Sequence, residues 1–277
     1  MKKTLLSLCL ISVGFAAQSQ VVVAGVSPAA IQGNYDYNVQ TDAGWPSAGT
    51  DANWGLTLDF SVPGTFIIDT LMLAEDGTPG VNLQGIDSTY EACYPLINDL
   101  TGKIAVLYRN TCDFASKAWN AQEAGAIAVI VINRDNDVAL QMSADPLGDG
   151  PNVIIPVCII SSSSGAALVA EMGLGSVVMF IGNKIGAFPN DAGMARGSNL
   201  ISKTSGVPSQ LAQNGTEYNF ELGTRVYNYG ANDQTSMSLT ASVDGPGGNL
   251  FSETVTLPTI LAGDSMDVDP SQAINFS

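Results

Sequence analysis

The chain has 277 residues, 26 acidic against 10 basic, and no histidine. Without imidazole, Ser-His-Asp and Cys-His nucleophiles, histidine-bound zinc and HExxH chemistry are all ruled out, leaving only amines, carboxylates or phenols as proton carriers. A formal charge of −16 makes phosphate backbones and anionic head groups poor partners, while 45% apolar residues are enough for a packed core.

The N-terminus reads Met1, Lys2, Lys3 and then an uncharged, largely apolar run from Leu5 to Ala17. That is the charge and length pattern of a cleaved secretory signal, with Ala17 and Ser19 as the small residues before a cut after Ser19. Gly14 and Ala16 offer a second cut. No later stretch reaches the roughly 18 consecutive apolar residues of a membrane span, so the expectation is an exported protein with no membrane insertion after cleavage. Cys9 leaves with the leader. Cys158 sits in the apolar run Ile154–Ile160, where a free thiol behaves as a small hydrophobe. Cys93 and Cys112 lie in polar contexts and are expected to pair, closing a loop of about 18 residues for roughly 3 kcal/mol; an oxidising compartment permits this.

Residues 20 to 100 are punctuated by glycine and proline and read as short strands between turns, including Leu56–Phe60 and Phe66–Ile68. Trp45 and Trp54 fall in Gly-rich loops there. From Gly102 the pattern sharpens. Lys103–Tyr108 has strand length. Asp113 is placed to cap a helix whose Phe114, Ala118 and Ala121 share a face, and Gly125 stands where a left-handed residue would end it. Ile127–Ile132 is apolar at every position, as in a strand covered on both faces. The unit repeats: the Ile154–Ile160 run, a helix capped by Ser163 or Ser164 and running to Met172, and a strand at Ser176–Ile181. This is an α/β layout with two helix crossovers. Between the units, residues 133–152 form a polar loop too long to be a mere connection.

Residues 184–214 are rich in Gly, Ser, Asn and Pro and read as a linker. From 215 to 277 alternation returns at Tyr218, Phe220 and Leu222, then Val226, then Met237 to Val243. The turn Asp244–Gly248 follows, then Leu250-Phe251 and Val255–Leu257. Four or five short antiparallel strands are expected, a sandwich-like segment too short for a full seven-strand sandwich and therefore read as incomplete.

Several of these stretches spell a family pattern. Ala92-Cys93-Tyr94-Pro95-Leu96, the run Gly102 to Phe114, and Lys117 to Ala126 resemble the protease-associated (PA) domain family. Ile155-Pro156-Val157, Ile160-Ser161 and Gly165–Leu168 resemble its second half, and Ser27–Tyr35 its opening strand. The resemblance covers about residues 24–183. Asn110 stands where the family usually has glycine after arginine, a small departure because asparagine also tolerates turn geometry. The resemblance implies an α/β (α+β) domain with a β-rich sheet, supports the Cys93–Cys112 disulfide, and implies a substrate-access or protein-interaction module with no catalysis of its own. The C-terminal segment is read as the start of an Ig-like or adhesin-like β-domain.

Other constellations yield to plainer readings. Asp135, Asp137, Asp145 and Asp149 match no calcium-loop spacing. Ser116-Lys117 and Ser202-Lys203 are sequence neighbours, which point to different sides of a helix. Asn214-Gly215-Thr216 is a glycosylation sequon. The expected function is a secreted, non-catalytic recognition module for a protein or peptide ligand, with no cofactor and no nucleic acid. Its candidate contact loop is Asn133, Arg134, Asp135, Asn136, Asp137, Asp145 and Asp149, together with the N-terminal β edge. The alternative is an accessory region of an extracellular peptidase whose catalytic domain lies outside this chain.

Overall fold

The computed structural model describes residues 21–39, 57–134, 137–140, 142, 148–200 and 222–269, the side chains of 195–200 excepted. The expected leader (1–19), Trp45, Trp54, Asp135, Asn136, Asp145, Ser202, Lys203, Asn214, Tyr218 and Phe220 lie outside the described residues.

Eight strands form one sheet: β1 (Val21–Ser27), β2 (Gly33–Tyr35), β3 (Tyr37–Asn38), β4 (Phe66–Leu73), β5 (Ile104–Tyr108), β6 (Ala128–Ile132), β7 (Val157–Ile160) and β8 (Val178–Asn183). Two helices accompany it, α1 (Phe114–Glu123) between β5 and β6, and α2 (Ser162–Met172) between β7 and β8. The spatial order is β2-β1-β8-β4-β5-β6-β7-β3. Strands β4 to β7 run parallel to one another, and the remaining pairs are antiparallel. β2 and β3 stand at opposite ends of that order, yet only Asp36 separates them in the chain. The sheet therefore curls until its margins approach each other, giving a mixed α/β, nearly barrel-shaped fold. The Tyr37 hydroxyl on β3 reaches across to the Val21 carbonyl of β1 at 3.0 Å.

The apolar runs are apolar at every position because both faces are covered. Ile104, Val106, Ile130, Ile132, Cys158 and Ile160 fill one cluster with Val23, Met179 and Ile181. The alternate residues Ala105, Leu107, Val129, Val131, Val157 and Ile159 form a second cluster beneath Ala115, Ala118 and Ala121 of α1. Each full burial of such an Ile, Leu or Val is worth roughly 1.5–3 kcal/mol. The small alanines let α1 lie close on the sheet. On the other face Leu168 of α2 joins the first cluster. Gly165 makes that approach possible, since a Cβ there would collide with the Ile132 side chain. Gly125 ends α1 as expected, at φ +92°.

Some expectations need correction. Asp113 occupies the N-cap of α1, but its side chain makes no capping bond. The cap of α2 is Ser161, not Ser163 or Ser164: its Oγ accepts from the Ser164 N–H at 3.2 Å. A run of four serines offers equivalent hydroxyls, and the one on extended backbone takes the role. Residues 57–60 form no strand; the Asp59 carboxylate instead takes the Ser61 N–H and hydroxyl in a local turn that competes with ladder pairing.

Beyond β8 the described strands are β9 (Ala192–Leu200), β10 (Gly223–Asn228), β11 (Ser238–Gly245), β12 (Gly248–Thr256) and β13 (Ser265–Val268). β9 lies inside the stretch expected to be linker. Its sequence, with two glycines and no β-branched residue, carries no strand signal of its own, and its pairing with β10 defines it. The order is β13-β10-β9 in one antiparallel sheet, with β11 and β12 as a separate hairpin joined at the expected Asp244–Gly248 turn. Val226, Leu257, Ile260 and Val268 form a small core, against which Leu239 and Val255 of the hairpin pack.

Candidate functional site

The parallel strands β5, β6 and β7 are followed directly by Arg109, Asn133 and Ser161, so the loops that begin there gather at one rim of the sheet. In open α/β sheets this carboxyl rim is where ligands bind. Asn133 is fully buried and ties the rim together. Its Oδ1 accepts from Arg109 Nη1 at 2.9 Å and from the Arg134 N–H at 2.8 Å, and its Nδ2 donates to the Val138 carbonyl at 2.8 Å. Arg109 also lies over the Phe114 ring, 5.7 Å from its centroid. Asn133 is thus a strut for the candidate contact loop rather than part of its surface.

From this strut the chain carries Asp137 to the start of α2. The Asp137 carboxylate accepts from both the backbone N–H and the hydroxyl of Ser163. These bonds, the hydroxyl's first, hold its carboxyl below the usual carboxylate range. Asp149 goes elsewhere, accepting from Ser116 Oγ on α1 at 2.9 Å. Lys117, the neighbour of that serine, points the other way, as sequence neighbours on a helix must.

Asp137, Val138 and Ala139 form one wall of a groove of ≈ 1380 Å³. Ser161, Ser163 and Ser164 at the start of α2, Met194 of β9 and Asn34 to Tyr37 line it as well. The last group spans Asp36, the one-residue link between the two margins of the sheet. Tyr35 and Tyr37 are fixed by their hydroxyls, which donate to the Ile31 and Val21 carbonyls at 3.0 Å each. Burial pushes the Tyr35 phenol above its ordinary range. The groove therefore offers carboxylates, hydroxyls and immobilised aromatic rings. Ser163 faces a carboxylate of depressed pKa, a poor base for activating a hydroxyl.

Of the expected contact residues, the structure brings Asp137 to the groove, and it brings the N-terminal β edge to the same place. The serines of α2 were read only as caps, and Met194 only as linker. A signal for the remainder was present in Asn34-Tyr35-Asp36-Tyr37-Asn38, where polar groups and tyrosines alternate.

A second constellation lies on the far side of α1. Cys93 and Cys112 form the expected disulfide, with Cα atoms 5.7 Å apart. Beside it Lys117 is wholly buried, its Nζ donating to the Glu91 carbonyl at 2.6 Å and lying 3.5 Å from Cys93 Sγ. Burial lowers the lysine to about 8, against the opposing pull of Glu91 and Asp76. Asp76 accepts from the Cys93 and Tyr94 N–H groups, and Asn120 Nδ2 donates to the Ala92 carbonyl. Ala92 itself holds φ +55°, a left-handed conformation rare for a residue with a side chain. Together these bonds fasten the β4–β5 connection to α1. Asn110 and Thr111 lie in the loop from β5 to α1, where the Thr111 N–H donates to Glu91 Oε2 at 3.3 Å.

Comparison with known proteins agrees with this architecture. Residues 70–168 match the PA domain family. Signal peptide peptidase-like 3 of Arabidopsis thaliana is 42% identical over 82 residues, which is 30% of this chain and 15% of that protein. Vacuolar-sorting receptor 7 of the same plant is 34% identical over 122 residues, 42% of this chain and 18% of the receptor. The chain thus spans less than a fifth of either relative. Among solved structures, the aminopeptidase from Aneurinibacillus sp. strain AM-1 overlaps 60% of this chain and 30% of its own, at 20% identity and a TM-score of 0.36. Among the described residues no helix is long and apolar enough to cross a membrane.

Proposed function

We propose that the chain is a secreted, non-catalytic recognition module that holds an extended protein or peptide segment in the groove between Asn34–Tyr37 and the start of α2. The observation that carries this reading is convergence. The polar loop after β6 and the N-terminal β edge, far apart in sequence, bound one polar groove at the carboxyl rim of a PA-type sheet. The missing histidine supports the non-catalytic half of the reading. The strands from β9 onward are taken as the start of an Ig-like or adhesin-like domain.

The test is a peptide-display selection on the immobilised mature chain. Enriched sequences should lose binding when the exposed groove residues Val138 and Met194 are both changed to tryptophan, which narrows the groove and leaves the core untouched. Selection of nothing, or of sequences indifferent to these changes, would sink the reading. A second reading is favoured by the PA match and by relatives named as peptidases: a substrate-access lid for a catalytic domain outside this chain. Both readings expect no casein hydrolysis by the purified chain. They separate when the chain is added to a peptidase encoded beside it, whose substrate preference only a lid would change.

A further inference from the structure

Lys117 is the one fully buried amine among the described residues, and it stands against a disulfide. Its Nζ lies 3.5 Å from Cys93 Sγ, nearer than the Glu91 carboxylate, whose Oε2 is 3.8 Å from the same sulfur. An ammonium carries three donors, and the Glu91 carbonyl takes one at 2.6 Å. The sulfur of a closed disulfide is a weak acceptor for another, whereas a thiolate is an anion that such a donor stabilises strongly. The two sulfurs also differ in setting. Cys112 stands between the exposed Thr111 and Asp113, while Cys93 follows the buried Glu91 and Ala92. Ala92 is held in its left-handed conformation directly beside the bond.

From this we infer that Cys93–Cys112 is a thiol-exchange site that opens toward an external thiol, with Cys112 as the sulfur attacked and Cys93 as the leaving thiolate. The incoming thiolate forms a bond to Cys112 Sγ. The Cys112–Cys93 bond breaks, and its electron pair leaves on Cys93 Sγ, against the Lys117 ammonium. A second thiol then displaces the first from Cys112. Two external thiols are oxidised to one disulfide, and their two protons end on Cys93 and Cys112. Glu91 acts in both directions. With Asp76 it helps keep the lysine protonated, but it repels the thiolate directly. Its Oε2 already accepts from the Thr111 N–H, and the ammonium is the closer charge, so the leaving sulfur gains on balance. Opening the bond removes the covalent tie between the β4–β5 connection and the loop before α1.

The experiment follows reduction of the whole oxidised chain by dithiothreitol at pH 7, where Lys117 is charged. A short pulse of glutathione, quenched with acid and mapped by peptide mass, should place the mixed disulfide on Cys112 and leave Cys93 as the thiol. Cys158 serves as an inert reference, because burial pushes its thiol up to about 12. Lys117→Met should slow reduction about tenfold, the scale on which a neighbouring ammonium changes a leaving thiolate. Glu91→Gln keeps an oxygen for the Thr111 N–H and should speed it. Loosened packing alone would speed reduction in both variants, so slowing in the first marks the charge. A glutathione adduct on Cys93 or equally on both sulfurs, a bond that dithiothreitol leaves closed without denaturant, or variant rates that move together or not at all would overturn the inference. Should Lys117→Met fail to fold, the adduct position and the Glu91→Gln rate decide the matter without it.

Discussion

The curled eight-stranded sheet and the strands that follow it achieve order in opposite ways. In the first, three parallel strands are buried on both faces and two clusters share nearly every apolar side chain of β5, β6 and β7. In the second, four buried residues hold a three-stranded sheet against a hairpin whose remaining residues are half-buried or exposed. The difference teaches where cooperativity resides. A side chain removed from the first region is felt by strands on both faces, whereas one removed from the second disturbs a single thin core.

The comparison breaks most sharply at Ile130, which is fully buried at the centre of β6. Ile130→Ala should cost about 2–5 kcal/mol, and chemical denaturation should show one shifted transition for the whole sheet. Next comes the disulfide. Replacing Cys93 and Cys112 together by alanine should cost about 3 kcal/mol, measured as a lower melting temperature, with early proteolysis of the β4–β5 connection. Leu257→Ala should cost about 2 kcal/mol and act locally. Hydrogen exchange should rise in β10 and β13 while β5 and β6 keep their protection; a uniform rise would show the two regions to be a single cooperative unit.

The fourth prediction concerns pH and is the smallest near neutrality. Lys117 titrates at about 8 in the folded chain against an ordinary value of 10.5. Below pH 8 it is protonated in both states, and its contribution does not vary. Between these values the unfolded chain binds the extra proton, so stability contributed by this site rises with pH. The difference in unfolding free energy between wild type and Lys117→Met should therefore slope between pH 8 and 10.5 and be flat below. A flat difference throughout would mean the ammonium is better solvated than its burial implies.

The two regions also differed in how much their residues disclosed beforehand. The strands around Ile104–Tyr108 and Ile127–Ile132, the helix between them and the turn at Asp244–Gly248 were legible because burial on both faces or a positive-φ turn restricts residue type directly. The cysteine pairing was legible because its two partners sat in polar contexts while Cys158 did not. β9 was illegible because a neighbour imposes its pairing. The groove was only half legible: Asp137 stood out as an acidic loop residue, but Asn34–Tyr37 gains its meaning from the curling of the sheet, which brings sequence-distant edges together. The serines of α2 have two uses, and only the capping one follows from local sequence.

That curling hangs on a single residue. Because Asp36 alone joins the two marginal strands, it works like the buckle of a belt: the chain crosses from one rim to the other in one step and sets the girth of the barrel. Adding a residue there would slacken the belt, letting the two tyrosines drift apart before any buried contact is lost. The shape of the groove and the circumference of the sheet therefore meet at the same residue.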